Sequence, residues 1–193
     1  MGIGSSPRGY HGKIPSRGDF VTRGLPQSFL APWEDWAEAA MKASRALLED
    51  GWRDAWMVAP VWRFSLAGGV CGPDGVLGLM LPSIDKVGRG FPLTIVALFP
   101  HLRGAPDRVM GAAFLDAAED AARDAIAADL DPDSLAERIG AAPCPGGGGG
   151  SDDEPRAFLW TEGAPNVPAT DLTLAGLPPM PDHAGFLAGG GAP

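Results

Sequence analysis

The charged residues that could do chemistry lie in two short loops of this 193-residue chain, GKIPSRGDFV (residues 12–21) and PSIDKVGR (residues 82–89). The candidate site residues in these loops are Lys13, Ser16, Arg17, Asp19, Ser83, Asp85 and Arg89. Each loop contains a glycine that permits a tight turn, so the charges need not point into solvent. We therefore expect the loops to face each other, with Arg17 against Asp85 and Arg89 against Asp19. Paired guanidinium and carboxylate groups would fix both direction and distance.

Such a cluster has three interpretations. Buried, it would mainly set geometry, because desolvation offsets much of the Coulomb attraction. Open to solvent, the same charges would form a cleft for a ligand or a partner protein. The third interpretation is a small hydrolase or ligand-binding enzyme that uses Asp19 and Asp85, together with His11.

Established catalytic motifs do not fit the loops. A phosphate loop requires GxxxxGK followed by Ser or Thr, whereas Ile14 follows Lys13 and Pro7 stands where the first glycine belongs. The tripeptide at 17–19 has no export signal that would make it an adhesion motif. None of the three histidines lies in a GxSxG or HExxH setting. The sequence therefore predicts no catalytic residues.

Metal and cofactor sites are not predicted either. Asp19 and Asp85 are oxygen ligands of the kind that Mg²⁺ takes, but each has an arginine close by in the sequence. Cys71 is expected to be a buried structural thiol, and Cys144 lies in a glycine-rich loop. The two cysteines are too few for a disulfide framework.

Charge and composition exclude several classes of protein. The net charge is −9, and residues 105–193 carry fifteen Asp/Glu against four Lys/Arg. A nucleic-acid-binding protein would present a basic face instead. There is no apolar run of about 18 residues for a membrane span, and no apolar segment of the signal-peptide type near residue 1. We expect a cytoplasmic protein.

The hydrophobic pattern predicts the elements that position these loops. Residues 1–24 read as a loop, and helices are expected from Pro26 to Asp50 with a stop at Gly51, from Pro106 to Leu130, and over 131–140 with Asp133 or Ser134 as the cap and Gly140 as the stop. Strands are expected over 55–66, 69–72, 75–82, 91–100 and 156–161. Residues 143–155 predict a flexible glycine-rich loop, and 176–193 an irregular tail.

This order predicts a single-domain α/β fold over residues 1–193, a mixed central sheet covered by helices. Five of the six tryptophans fall between positions 33 and 62. We call Trp33, Trp36, Trp62, Arg63 and Phe64 the aromatic motif. Packing in the core is its first interpretation, and an aromatic patch that contacts a partner protein is the alternative.

Three long strings resemble the TagF family of type VI secretion-associated proteins, also called ImpM. They are GKIPSRGDFVTRGLPQSFLAPWEDW, APVWRFSLAGGVCGPDGVLGLMLPSIDKVGRGFPLT and FLWTEG. The resemblance is dense over residues 11–100, and the family pattern includes Lys13, Ser16, Asp19, Ser83, Asp85 and Arg89 of the candidate site. It implies a cytoplasmic accessory protein with an α/β sandwich fold and no enzymatic activity.

The resemblance also implies a role and a partner. Such proteins act as post-translational repressors of type VI secretion, through the forkhead-associated-domain scaffold and against a threonine-kinase pathway. No nucleic acid or cofactor is implied. The glycine-rich loop and the tail depart from the family pattern, and the sequence leaves open whether the chain forms a homo-oligomer.

Overall fold

One antiparallel sheet organises the part of the chain that the computed structural model describes, residues 6–146, 149 and 156–178. The strands are β1 (Arg8–Gly12), β2 (Val21–Arg23), β3 (Trp62–Leu66), β4 (Gly75–Leu81), β5 (Leu93–Phe99), β6 (Ala157–Thr161) and β7 (Thr170–Leu174). They lie in the order β2-β1-β5-β4-β3-β6-β7, and each neighbouring pair is antiparallel. The helices are α1 (Gln27–Leu48), α2 (Trp52–Met57), α3 (Ala112–Ala127) and α4 (Pro132–Ala141).

The sheet separates two cores, because strand side chains alternate between its faces. On β4, Leu77 and Leu79 pack with α3 and α4, whereas Val76 and Met80 pack on the side of α1. Every residue of β4 and β5 is buried, as expected of central strands covered on both faces. The predicted layered α/β fold is confirmed.

Gly78, in the middle of β4, makes room for the core on the α1 side. A Cβ atom there would lie 2.5 Å from the carbonyl oxygen of Ile95 and 3.0 Å from the ring of Phe64. The first distance is too short for a carbon atom and the second is tight, so any side chain would push the two strands apart.

The chain between α1 and β3 corrects two predictions. Helix α1 ends at Leu48 and not at Gly51, because Glu49 adopts a positive φ of 45° and a 3-10 turn follows. Residues 55–57 are helical rather than extended. Trp52 and Trp56 stack at 5.3 Å, one helical turn apart, and the indole of Trp56 donates to the carbonyl of Ser83.

Three further segments differ from prediction, which are residues 69–72, residues 8–23 and residues 170–174. Residues 69–72 form a turn in which the Gly69 amide donates to the Gly72 carbonyl. The region 1–24 contains β1 and β2, whose two glycines and short length hide the alternation that marks a strand. The edge strand β7 was not predicted.

Helices α3 and α4 are found, with different boundaries. The first begins at Ala112, because the Asp107 carboxylate accepts from the Val109 amide and holds a turn before it. The cap of α4 is Asp131, not Asp133 or Ser134, and the helix runs one residue past Gly140. The predicted strands at 75–82, 91–100 and 156–161 are confirmed as β4, β5 and β6. Of the predicted flexible loop and irregular tail, residues 147–148, 150–155 and 179–193 lie outside the described residues.

Candidate functional site

The loop after β1 and the loop between β4 and β5 meet, as the sequence predicts. The Lys86 amide donates to the carbonyl of Arg17 at 2.8 Å. The Arg89 guanidinium Nη2 donates to the carbonyl of Gly18 at 2.6 Å. We call the two segments together, residues 12–20 and 82–91, the charged loop pair.

Asp85 lies at the centre of the charged loop pair and is fully withdrawn from solvent. Its Oδ2 accepts from Lys13 Nζ at 2.8 Å and from Arg89 Nε at 2.7 Å. Its Oδ1 accepts from the backbone amides of Val87 and Arg89 at 3.0 and 2.9 Å. A carboxylate offers about four lone-pair sites, so all of them are used.

The surroundings of Asp85 decide its protonation. Burial alone would raise the pKa of this carboxyl, but the hydrogen bonds from Lys13, Arg89 and Val87 outweigh burial and hold the pKa well below its ordinary value. Asp85 therefore carries its negative charge throughout the neutral range.

The predicted crossed pairing is wrong. Asp85 binds Lys13 and Arg89, whereas the side chain of Arg17 is exposed. Arg89 is four residues from Asp85 on the same tight loop. The guanidinium of Arg89 therefore pairs with Asp85 and not with Asp19. Among the described residues no ion pair includes Asp19, which is exposed.

The two loop serines support the backbone. Ser16 donates its hydroxyl to the carbonyl of Leu130, just before α4. Ser83 is buried and its carbonyl accepts from Trp56, whereas its own hydroxyl oxygen has no hydrogen-bond partner among the described residues. The loops are thus tied to α2 and to the start of α4.

The aromatic motif divides between the core and the surface. Trp33 and Phe64 are buried with ring centroids 4.8 Å apart, and Trp62 lies in the same core. The Trp33 indole donates to the hydroxyl of Thr94 on β5. Trp36 is half-buried and donates to the carbonyl of Pro178.

Arg63 points to the opposite face of β3 and ties the sheet to α3. Its Nη2 lies 2.9 Å from both the Asp116 and the Glu119 carboxylates. Burial works to lower the pKa of Arg63, but the two carboxylates raise it above its ordinary value. Arg63 is thus a structural cation.

His11, on β1, lies under an aromatic cluster that the sequence did not reveal. Its ring stacks on Phe20 at 5.5 Å and contacts the edge of Phe91, and Nδ1 lies 2.8 Å from the Thr22 hydroxyl. Nε2 lies 3.4 Å from the Glu34 carboxylate without hydrogen-bond geometry. Burial lowers the pKa of His11 despite Glu34, so the ring is neutral at pH 7.

A groove of about 480 Å³ opens between α1 and the charged loop pair. Charged and aromatic side chains line this groove. They are the cations Lys13, Lys42, Arg45 and Arg89, the aromatic rings of Phe20, Trp52 and Phe91, and the carboxylate of Glu38. We call it the basic groove. The positions of Lys42 and Arg45 were missed, since nothing in the α1 pattern showed which residues would meet residues 88–91.

Few groups at the site are available for chemistry. The described residues contain no group of three or more His, Cys, Asp or Glu side chains that could hold a metal ion. Both oxygens of Asp85 already accept hydrogen bonds, and His11 lies against aromatic rings.

Among the residues that the structure describes, no helix is long and apolar enough to cross a membrane.

Comparison with known proteins places this geometry. The family model of the TagF N-terminal domain, described as type VI secretion system-associated, matches residues 9–142. The chain therefore belongs to the TagF family of type VI secretion system-associated proteins, as the resemblance implies.

A solved structure has the same fold. The crystal structure of PA0076 from Pseudomonas aeruginosa PAO1, at 2.05 Å resolution, is 29% identical in sequence and superposes with a TM-score of 0.80. The match covers 96% of each chain. No curated protein sequence matches the chain.

Proposed function

We propose that the chain is a post-translational negative regulator of type VI secretion that works in the cytoplasm by binding and not by catalysis. Its proposed partner is the forkhead-associated-domain scaffold of the secretion machine. Membership of the TagF family supports the association with the secretion system. The repressor role and the partner are what the family resemblance implies.

The saturation of Asp85 is the observation that favours binding over catalysis. A general base or nucleophile needs a free lone pair directed at its substrate. Both oxygens of Asp85 instead accept hydrogen bonds from within the charged loop pair. The carboxylate holds the two loops together and presents their outer surface as a rigid unit.

The alternative function, a hydrolase or ligand-binding enzyme, needs Asp19 and Asp85 to converge on an open position. Asp19 is exposed, whereas Asp85 is enclosed beside Lys13 and Arg89. The two carboxylates therefore do not share an accessible cleft, and this arrangement supports the binding proposal.

Gene deletion separates repression from other roles. In the native bacterium, deletion is expected to increase the amount of secreted protein in the medium, and the wild-type gene supplied in trans is expected to restore the lower level. Unchanged or lost secretion after deletion would contradict repression and favour a scaffold role. Equal machine-component levels in both strains, checked by immunoblot, would place the effect after translation.

A further inference from the structure

The basic groove has the opposite charge character to the chain as a whole. Four cations line it, and two of them, Lys13 and Arg89, share the carboxylate of Asp85. Glu38 is the one carboxylate among the lining residues that the structure describes, so the groove keeps a positive excess while the net charge of the chain is −9. The excess of acidic residues lies in residues 105–193, whereas every described residue that lines the groove lies between positions 13 and 91 of the sequence. A local basic site on an acidic protein attracts anions to one place rather than to the whole surface.

Two arginines of the groove are held in position without losing their capacity to bind. Arg89 is fixed through Nε by Asp85 and through Nη2 by Gly18, yet 60% of its side chain is exposed. Arg45 lies 4.4 Å from the ring centroid of Trp52 and donates to the Gly90 carbonyl. An arginine has five N–H donors, so each retains donors for a partner. Because the side chains are already ordered, binding costs less conformational entropy.

Lys42 adds an exposed charge to the groove. It is exposed on α1, three residues before Arg45, and forms no ion pair with the other described residues. Glu38 is one helical turn before it and opposes an incoming anion. Phe20, 46% exposed, adds apolar surface at the edge of the groove.

We propose that the basic groove binds an acidic peptide segment of the partner protein, with Arg45 and Arg89 donating to its carboxylates and the aromatic rings contacting its apolar side chains. This inference rests on the proposed binding function and adds the chemistry of the partner. The volume is in the range of about 300–1,000 Å³ that is typical of compact ligand sites, enough for a few side chains. Polyanions such as nucleic acid would meet the acidic remainder of the chain.

Titration with a peptide tests the groove in the full-length chain. The probe is a short fluorescein-labelled peptide of alternating glutamate and leucine, with a lysine–leucine peptide as the charge control. We expect saturable anisotropy for the glutamate peptide alone, weakening with added NaCl because the contacts lie at the surface. In ¹H–¹⁵N spectra, the shifted signals should be those of Arg45, Gly88, Arg89 and Gly90.

Charge variants locate the binding. Lys42→Glu should weaken the peptide by about fivefold to tenfold, since reversal removes an attraction and adds a repulsion. Glu38→Gln should strengthen it. Arg103→Glu makes the same charge change on an exposed residue just beyond the end of β5. The groove lies at the start of β5, about 20 Å from that end at the rise per residue of a strand. Arg103→Glu should therefore leave the peptide affinity unchanged. Thermal melting is used to establish that each variant is folded.

The outcomes separate this inference from the proposed function. Equal affinity of the Lys42→Glu and Arg103→Glu variants for the glutamate peptide would contradict the proposal that the peptide binds in the basic groove. Equal binding of the glutamate and lysine peptides would contradict it as well. Displacement of the glutamate peptide by inorganic phosphate at the same concentration as the peptide would show that the groove is a site for small anions. It would contradict the assignment of a peptide as the ligand. Peptide binding in the groove without a complex with the forkhead-associated protein would leave this inference standing and remove the proposed partner.

Discussion

Lys13 Nζ lies 2.8 Å from Asp85 Oδ2, and both side chains are withdrawn from solvent although 72 positions separate them in the sequence. The contact joins the loop after β1 to the loop between β4 and β5. Arg89 binds the same oxygen from the solvent side. One carboxylate thus holds both segments of the charged loop pair in a single geometry.

Removal of the central carboxylate should destabilise the protein. Asp85→Ala leaves the Lys13 ammonium buried without its counter-charge, and we expect a loss of about 3 kcal/mol in the free energy of unfolding. Urea unfolding followed by tryptophan fluorescence measures it. Asp19→Ala is the matched control, an exposed aspartate in the same loop pair, and should stay within about 0.5 kcal/mol of wild type. Equal losses in the two variants would contradict the central role of Asp85.

The contribution of Asp85 should depend on pH. The folded state holds its pKa below the ordinary value, so the carboxyl of the unfolded chain takes up a proton first, near pH 3.9. The stabilisation is therefore complete above this pH and decreases as pH falls below it. The difference in unfolding free energy between wild type and Asp85→Asn should narrow below about pH 4. A difference that stays constant down to pH 3 would show that the charge of Asp85 is not what stabilises the loops.

Gly88 should be required for its backbone conformation. Its φ is +84°, and a Cβ atom there would meet only the Arg53 guanidinium, at 3.7 Å. Space is available, so the cost of Gly88→Ala comes from the left-handed conformation, about 1 kcal/mol. Gly18→Ala, in the facing loop, is the control, since Gly18 has no positive φ and, beyond its two chain neighbours, no described atom lies within 4 Å of the new Cβ. Chemical denaturation of both variants measures the difference, and equal stability would contradict the turn geometry.

The two thiols should differ in reactivity. Burial raises the pKa of Cys71 to about 12, and its thiol contacts the Phe29 carbonyl, whereas Cys144 is exposed. A chromogenic disulfide reagent at pH 8 should modify one thiol in the native protein and two in denaturant. Cys144→Ser should leave the native protein unreactive. Rapid native reaction of that variant would show that Cys71 is accessible.

The sequence predicts best the elements that have a strong pattern of their own. The run FPLTIVALFP predicts a strand buried on both faces, and β5 occupies its centre with all seven residues buried. The spacing of Trp33, Trp36 and Ala37 predicts α1 for the same kind of reason, since Trp33 and Ala37 are buried and Trp36 is half-buried. These patterns act over one element and need no knowledge of the neighbours.

The remainder depended on contacts between distant segments. β1 is a strand because β5 and β2 flank it, although its five residues include two glycines. The similar composition of the two loops predicts that they meet. It does not predict which charged side chains pair with each other. Lys13 reaches Asp85 only because of the strand order, and Arg89 reaches it through a four-residue turn.

The most direct test of the proposed function is calorimetric titration of the purified chain into the purified forkhead-associated-domain protein of the same secretion system. We predict a saturable complex. Arg89→Ala should weaken it, with little change in melting temperature because Lys13 still neutralises Asp85. Arg103→Ala should leave it unchanged. No heat of binding with folded wild-type protein, or a loss of binding only in variants that have unfolded, would contradict the account.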